Sequence, residues 1–197
     1  MTVTVAPLDR AQIRKHLQDL AVLRITVFRD WPYLYEGSTE YEERYLAPYA
    51  DSAAALVVGA WDGDRLVGAA TATPMEDHAD AFAAPLKAAG IAPRDVYYFG
   101  ESVLLAEYRG QGIGHAFFDA REANARKLGR RHACFCGVMR PDDHPMRPAD
   151  YRPLDPFWRK RGYAPLPGAE ARFAWRDVGD TEETDKPMQV WLRDLSR

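Results

Sequence analysis

The passage from Val96 to Leu128 constrains the fold more than any other. Val96 to Leu105 is rich in aromatic and β-branched residues and predicts a long strand. Arg109-Gly110-Gln111-Gly112-Ile113-Gly114-His115 follows, with glycine at every second position. A helix is expected at once, from Gly112 to Leu128. Its Ile113, Ala116, Phe117 and Ala120 give the i, i+3, i+4, i+7 apolar stripe, and Gly129 ends it. Ala133 to Met139 reads as the next strand, so the unit is a parallel crossover. A glycine turn that opens a helix presents free N–H groups at the positive end of the helix dipole, which reads as an anion site or, more plainly, as a tight turn with no ligand. Glycines also admit a phosphate close to the main chain, and Arg109 adds a positive charge at the rim. No Gly-Lys-Ser/Thr follows, which argues against a P-loop. The spacing of Gly110, Gly112 and Gly114 is not the G-x-G-x-x-G of a dinucleotide fold.

The rest of the chain builds one domain around this unit. Thr2 to Val5 reads as a short strand. Ile13, Leu17, Leu20, Val27 and Phe28 mark a helix that Pro32 ends. Arg24 falls on its apolar stripe, either packing its stem with the head in water or lying in a cleft. Thr39 with Glu42 reads as a capping box for a second helix, through about Tyr45. Ala53–Ala60 and Leu66–Thr73 form a hairpin about Asp62-Gly63. A small helix is expected over His78–Ala89. Half of the 14 prolines fall between Pro141 and Pro167, so that stretch is mostly loop, with one short helix at Pro156–Arg161. Arg172–Asp177 and Met188–Leu192 read as the last strands, and the segment from Asp177 to Asp185 as a solvated acidic loop. The expected fold is α/β (α+β): a single domain over residues 1–197, with about seven strands in a mixed sheet and about four helices.

Composition narrows the function. Lys and Arg total 26 against 29 Asp and Glu, a formal charge of −3. That balance argues against a protein held to nucleic acid by its charge. No apolar run approaches a membrane span, and Met1 to Arg10 does not read as a secretory signal. Cys134 and Cys136 are a C-x-C pair, read as reduced buried thiols in a cytoplasmic protein. His132, Cys134, Cys136 and His144 make a poor zinc spacing, and no metal is expected.

Arg109-x-x-Gly112-x-Gly114 after a strand resembles the acyl-CoA signature of the GNAT acyltransferases. Phe157-Trp158-Arg159-Lys160-Arg161-Gly162-Tyr163 is similar to that family's second signature, and the element order agrees along nearly the whole chain. The resemblance implies a cytoplasmic N-acetyltransferase that takes acetyl-CoA and the amine of a small molecule, possible as a homodimer like many relatives. It implies that the sheet splays around the cofactor. Main-chain groups of Val103, Leu104 and Leu105 would pair with the pantetheine arm. The N–H groups from Gly110 and Gln111 through Gly112, Ile113 and Gly114 to His115 would hold the pyrophosphate, with Phe157 and Trp158 flanking the cofactor. Arg126, Lys127, Arg130 and Arg131, or Arg159 to Arg161, are candidates for the ribose phosphate or for an ordinary solvated face.

In such an enzyme an amine attacks a thioester carbonyl, so a base must help remove a proton. Glu101, on the strand leading into the glycine turn, is the candidate, acting through water; the alternative is a structural carboxylate that only orients substrate. An oxyanion donor is expected from a main-chain N–H around Leu105. The family's proton-donating Tyr would stand at Trp158, which cannot serve, so Tyr151 is the substitute candidate. Cys136 is another candidate, with a packed thiol as its plain reading, and solvent or bound water protonating the thiolate is a third. Tyr163 is expected to pack. Tyr33, Tyr35 and Glu36 are candidates for the acceptor pocket, since aromatic rings with polar tips and a carboxylate suit an amine with apolar bulk. Asp30 joins them as an acidic neighbour, and the charged loop from Asp142 to Asp150 is a candidate specificity loop. Two other readings are a coenzyme A-binding sensor without turnover, motivated by the missing Tyr, and a protein or peptide N-acetyltransferase.

Overall fold

The computed structural model describes residues 2–77 and 80–196. Seven strands form one sheet: β1 (Thr4–Pro7), β2 (Leu56–Asp62), β3 (Arg65–Pro74), β4 (Val96–Leu104), β5 (His132–Val138), β6 (Ala164–Trp175) and β7 (Thr184–Asp194). Their order is β1-β2-β3-β4-β5-β7-β6. All neighbours are antiparallel except β4 and β5. The helices are α1 (Arg10–Lys15), α2 (Leu17–Phe28), α3 (Thr39–Asp51), α4 (Asp80–Ala88), α5 (Ile113–Lys127) and α6 (Asp155–Lys160). No helix among the described residues is long and apolar enough to cross a membrane.

One face of the sheet carries α1, α2 and α3, where Leu20, Leu46 and Tyr49 pack on Val57, Ala69 and Val103. The opposite face carries α5, whose Phe118 and Ala125 meet Tyr97, Phe99, Ala133 and Phe135. Cys134 and Cys136 alternate with Phe135 along β5 and are buried in the cluster that includes α4. Burial raises both thiols, Cys136 to about 12 and Cys134 well above its ordinary value.

Several boundaries differ from expectation. The first helix is broken at His16 into α1 and α2. The second begins one residue earlier, because the side chain of Ser38, not Thr39, caps it. Glu42 cannot close a capping box there: it is buried and bonded to Arg24. That helix continues past Tyr45 to Asp51, burying Leu46, Tyr49 and Ala50. The small helix begins at Asp80; His78 and Ala79 lie outside the described residues. The last strands are longer, as β7 takes in Thr184 to Pro187 and pairs them with β6. Asp177 is buried instead of solvated, because Arg140 and Lys186 pair with it.

Candidate active site

The cleft forms where two parallel strands part. Only Val96, Tyr97 and Tyr98 of β4 pair with β5, opposite His132, Ala133 and Cys134. Beyond them β4 stays with β3 and β5 stays with β7. The Leu105 N–H donates to the Val67 carbonyl, 3.0 Å away. Main-chain groups alternate in direction along a strand, so those of Val103 also face β3 and those of Ser102 and Leu104 face the gap. The Leu104 carbonyl, accordingly, accepts from Arg109 Nε at 3.3 Å. Within the stretch expected to supply an oxyanion donor, around Leu105, the Leu105 N–H is thus used within the sheet, and by the same alternation the Leu104 N–H faces the gap.

The glycine turn closes one end of the gap. Gly112 stands at the N-terminus of α5 with φ 84° and no side-chain cap. The Ala116 N–H bonds back to the Gly112 carbonyl at 3.2 Å, so the amides from Gly112 to His115 have no acceptor within the helix. A Cβ built on Gly110 or Gly112 meets nothing within 4 Å. The opening is bare main chain with space above it, which suits a pyrophosphate.

A bulge in β4 sets the other end. Ala70 pairs with Ser102 and Ala72 with Phe99, so Thr71 alone faces both Gly100 and Glu101. A Cβ on Gly100 would lie 2.7 Å from Thr71 Oγ1 and 3.0 Å from the Tyr49 hydroxyl, so this crowded position takes a glycine. The extra residue inverts the strand. Before it, odd-numbered Tyr97 and Phe99 pack towards α5; after it, odd-numbered Val103 packs towards α2 and α3. Glu101 is turned the same way and meets Arg24 and Tyr45.

Glu101 is 8% exposed and paired with Arg24, Oε1 to Nη1 at 2.5 Å. The Tyr45 hydroxyl donates to its Oε2 at 3.3 Å. Arg24 Nε also donates to Glu42 Oε2 at 2.5 Å, and Glu42 is fully buried. Arg24, itself 8% exposed, thus keeps its head among these carboxylates in place of reaching water. Burial would lower its pKa, but Glu101, Tyr45 and Glu42 together hold it above the ordinary arginine value. Burial, with the Glu101 charge, raises Tyr45 well above a free phenol. Two carboxylates share one guanidinium, which leaves the cluster one negative charge in excess.

These parts line one cavity of about 1410 Å³. Of the residues singled out in the sequence, Glu101, Leu104, Arg109, Gly110, Gly112, Gly114, His115, Tyr151, Phe157, Trp158 and Tyr33 line it. The side chains of Val103 and Ile113 are buried in the core, and that of Gln111 turns back to the Glu107 carbonyl, so these positions bear on the cleft only through their main chain. Tyr35 and Glu36 also stand away from the cavity. The lining run ends at Tyr33; the Tyr35 main chain bridges to Asp177 while its side chain reaches Glu42 of the Arg24 cluster, and Glu36 pairs with Arg29 at 2.7 Å. Of the basic candidates only Arg159 lines the cavity; Arg130 pairs with Glu76, Arg131 with Asp194, and Arg161 with Asp119 and Glu122.

Phe157 packs edge-on to His115, with ring centres 4.9 Å apart. The Trp158 ring lies over Gly137, where a Cβ would meet it at 3.1 Å, and packs on Trp191. Tyr151 packs edge-on to Trp31 across the opening, and partial burial raises its pKa. The acceptor side adds Val27, Phe28, Asp30, Trp31 and Pro32, and Cys136 also reaches the cavity wall. Arg140 fixes this wall. It donates to the carbonyls of Pro32 at 2.9 Å and Tyr33 at 2.7 Å while pairing with both oxygens of Asp177. Sequence reasoning missed Arg140, Glu42 and Arg121. Arg121 carried a signal: it lies four residues after Phe117 on the apolar stripe of α5.

A mixed sheet opened between two parallel strands over an uncapped helix is the acetyltransferase architecture that the two sequence signatures imply. The model of the acetyltransferase (GNAT) family matches residues 22–149, and the chain belongs to that family. Solved structures share the fold along essentially the whole chain. PaiA N-acetyltransferase from Thermoplasma acidophilum, in complex with coenzyme A, aligns with a TM-score of 0.57 at 15% identity, over 98% of this chain and 99% of that one. An aminoglycoside 6'-N-acetyltransferase complexed with coenzyme A aligns at 0.61 and 15% identity, over 98% and 97%. A ribosomal-protein-alanine N-acetyltransferase from Brucella melitensis aligns at 0.63 and 12% identity, over 97% and 99%. No curated protein matches the sequence.

Proposed function

We propose that this chain moves the acetyl group of acetyl-CoA to the amine of a small molecule, with Glu101 as the base. The observation that carries this reading is the meeting, in one cavity, of an uncapped helix N-terminus and a buried carboxylate on the strand leading to it. The amides from Gly112 to His115 bind the pyrophosphate, the main chain of Leu104 in the gap binds the pantetheine, and Phe157 and Trp158 flank it. Bound acetyl-CoA supplies a thioester carbonyl open to a neutral amine.

The chain's own groups do the rest. Phe28, Trp31 and Tyr33 give the acceptor an apolar wall, and the excess negative charge of the Arg24–Glu42–Glu101 cluster attracts its ammonium form. Glu101 accepts a proton from that amine, directly or through water. The Leu104 N–H supplies the hydrogen bond that stabilises developing negative charge on the carbonyl oxygen. Tyr151, on the cavity wall, returns a proton to the departing thiolate.

The test is release of free thiol from acetyl-CoA across a panel of small amines and peptides, with Glu101→Gln alongside. The expected result is turnover of a small amine, with Glu101→Gln slower by about 10²–10⁴-fold at unchanged coenzyme A affinity. Coenzyme A binding without thiol release from any acceptor would replace this reading with a sensor. Turnover of peptides alone would replace the acceptor class.

A further inference from the structure

Arg121, in the middle of α5, is a charge at 1% exposure, and among the described residues no carboxylate forms an ion pair with it. Its guanidinium lies over the rings of Phe99 and Phe118, at 4.4 and 4.9 Å from their centres. Burial pushes its pKa down to about 10. An arginine is seldom left in such surroundings without a carboxylate, and what it holds instead is main chain. Nη1 donates to the Glu101 carbonyl at 3.0 Å and to the Thr71 carbonyl at 3.3 Å. Nη2 donates to Ser102 Oγ at 2.7 Å, and Nε to the Phe117 carbonyl of its own helix at 3.2 Å.

Thr71 and Glu101 are the two sides of the bulge. A bulge breaks the ladder locally and frees carbonyls that a regular pair would occupy. A buried carbonyl without a donor is costly, so an unplugged bulge is driven to slide back into register. Sliding by one residue turns every later side chain to the other face. Glu101 would then point at α5, where Tyr97 and Phe99 point, and away from Arg24.

We infer that Arg121 is a positioning residue: by holding the carbonyls of Thr71 and Glu101 from the α5 face, it keeps the bulge and so fixes the Glu101 carboxylate in the cavity. This rests on Glu101 being the base. The geometry is suited to arginine, because one planar fork reaches three acceptors on two strands while a lysine reaches one or two.

The experiment is a double-mutant cycle of Arg121→Lys and Glu101→Gln, with kcat, KM for the acceptor and coenzyme A affinity measured for each. Arg121→Lys is expected to keep coenzyme A affinity within about threefold, because the α5 N-terminus is untouched. It should lose about 100-fold in kcat, the usual cost of a catalytic group misplaced by an ångström. On the Glu101→Gln background the same change should cost less than about threefold, since the group it positions is already gone. A folded Arg121→Lys enzyme with parental kcat, or a full loss that persists on Glu101→Gln, overturns the inference alone. Glu101→Gln at the parental rate overturns the proposed base and this inference with it. If Arg121→Lys does not fold, Ser102→Ala takes its place in the cycle: a loss of kcat that vanishes on Glu101→Gln supports the inference, and any other result overturns it.

Discussion

Gly112 and Gly129 bracket α5 and offer a matched pair for testing the pyrophosphate site. Both have positive φ, 84° and 69°, and a Cβ on either meets nothing within 4 Å. Alanine at either position therefore brings the same penalty, left-handed backbone without a clash, of about 1–2 kcal/mol. For a chain of this length that lowers Tm by roughly 2–8 °C. The two differ in what lies above them. Gly112 lines the cavity, among amides with no acceptor, while Gly129 ends the helix in a Schellman turn in which the Arg130 N–H reaches the Ala125 carbonyl at 2.9 Å. A methyl group on Gly112 intrudes where a phosphate must approach the main chain; one on Gly129 faces open solvent. Thermal unfolding should show both variants destabilised alike. Calorimetric titration with coenzyme A should show Gly112→Ala weaker by at least about tenfold, or 1.4 kcal/mol, and Gly129→Ala at the parental affinity. Parental affinity in Gly112→Ala would refute the pyrophosphate assignment. Equal loss in both would show that the weakening reports general destabilisation and not the site.

Two further outcomes follow from the buried groups. Cys134 and Cys136 should be inert to a thiol reagent at pH 8 in the native protein and react as two equivalents in denaturant, because burial holds both thiols far above that pH. The Asp177 carboxyl is raised by burial, but hydrogen bonds and charge from Arg140, with Lys186, outweigh this and hold it below the ordinary value. Its contribution to stability is present above the unfolded pKa, about 4, and is lost as pH falls through the lower folded value. Asp177→Asn should therefore cost stability at pH 7 and flatten the acid limb of an unfolding curve. Because Arg140 also holds Pro32 and Tyr33, it should raise acceptor KM more than coenzyme A Kd.

What the sequence revealed and what it hid divide along the range of the interactions. The glycine turn was legible because strand, turn and helix are contiguous, and each glycine has a local reason. The core stripe of α5 and the parallel crossover were legible for the same reason. The partners of Arg24 were not: Glu42 is 18 residues away and Glu101 is on another element, and only packing α2 and α3 on the sheet brings the three together. Tyr35 and Glu36 stand outside the cavity lining, because composition near a helix end says nothing of where the chain turns. The bulge left one sign, Gly100 inside an otherwise β-rich run, and an isolated strand glycine is what a bulge asks for. Its consequence, the reversal of Glu101, depends on the register of β3 and cannot be read from β4 alone.

The bulge also explains why two arginines are buried within one small region. Each holds a different part of the same residue from opposite faces of the sheet: Arg24 takes the Glu101 carboxylate and Arg121 its carbonyl. Neither arrangement suits stability best, since packed apolar groups commonly match or exceed a buried ion pair like that of Arg24, and Arg121 is a buried charge with no carboxylate partner among the described residues. Their value is in geometry. A carboxylate that must meet a substrate in a wide cavity cannot be fixed by that cavity, which leaves it free on the open side. On the proposed role of Glu101 it has to be fixed from behind, through its main chain by Arg121 and through its carboxylate by Arg24 and Tyr45. In that arrangement Glu42 has a physical reason to be present: it shares the charge of Arg24, so Glu101 is held in place without being fully neutralised.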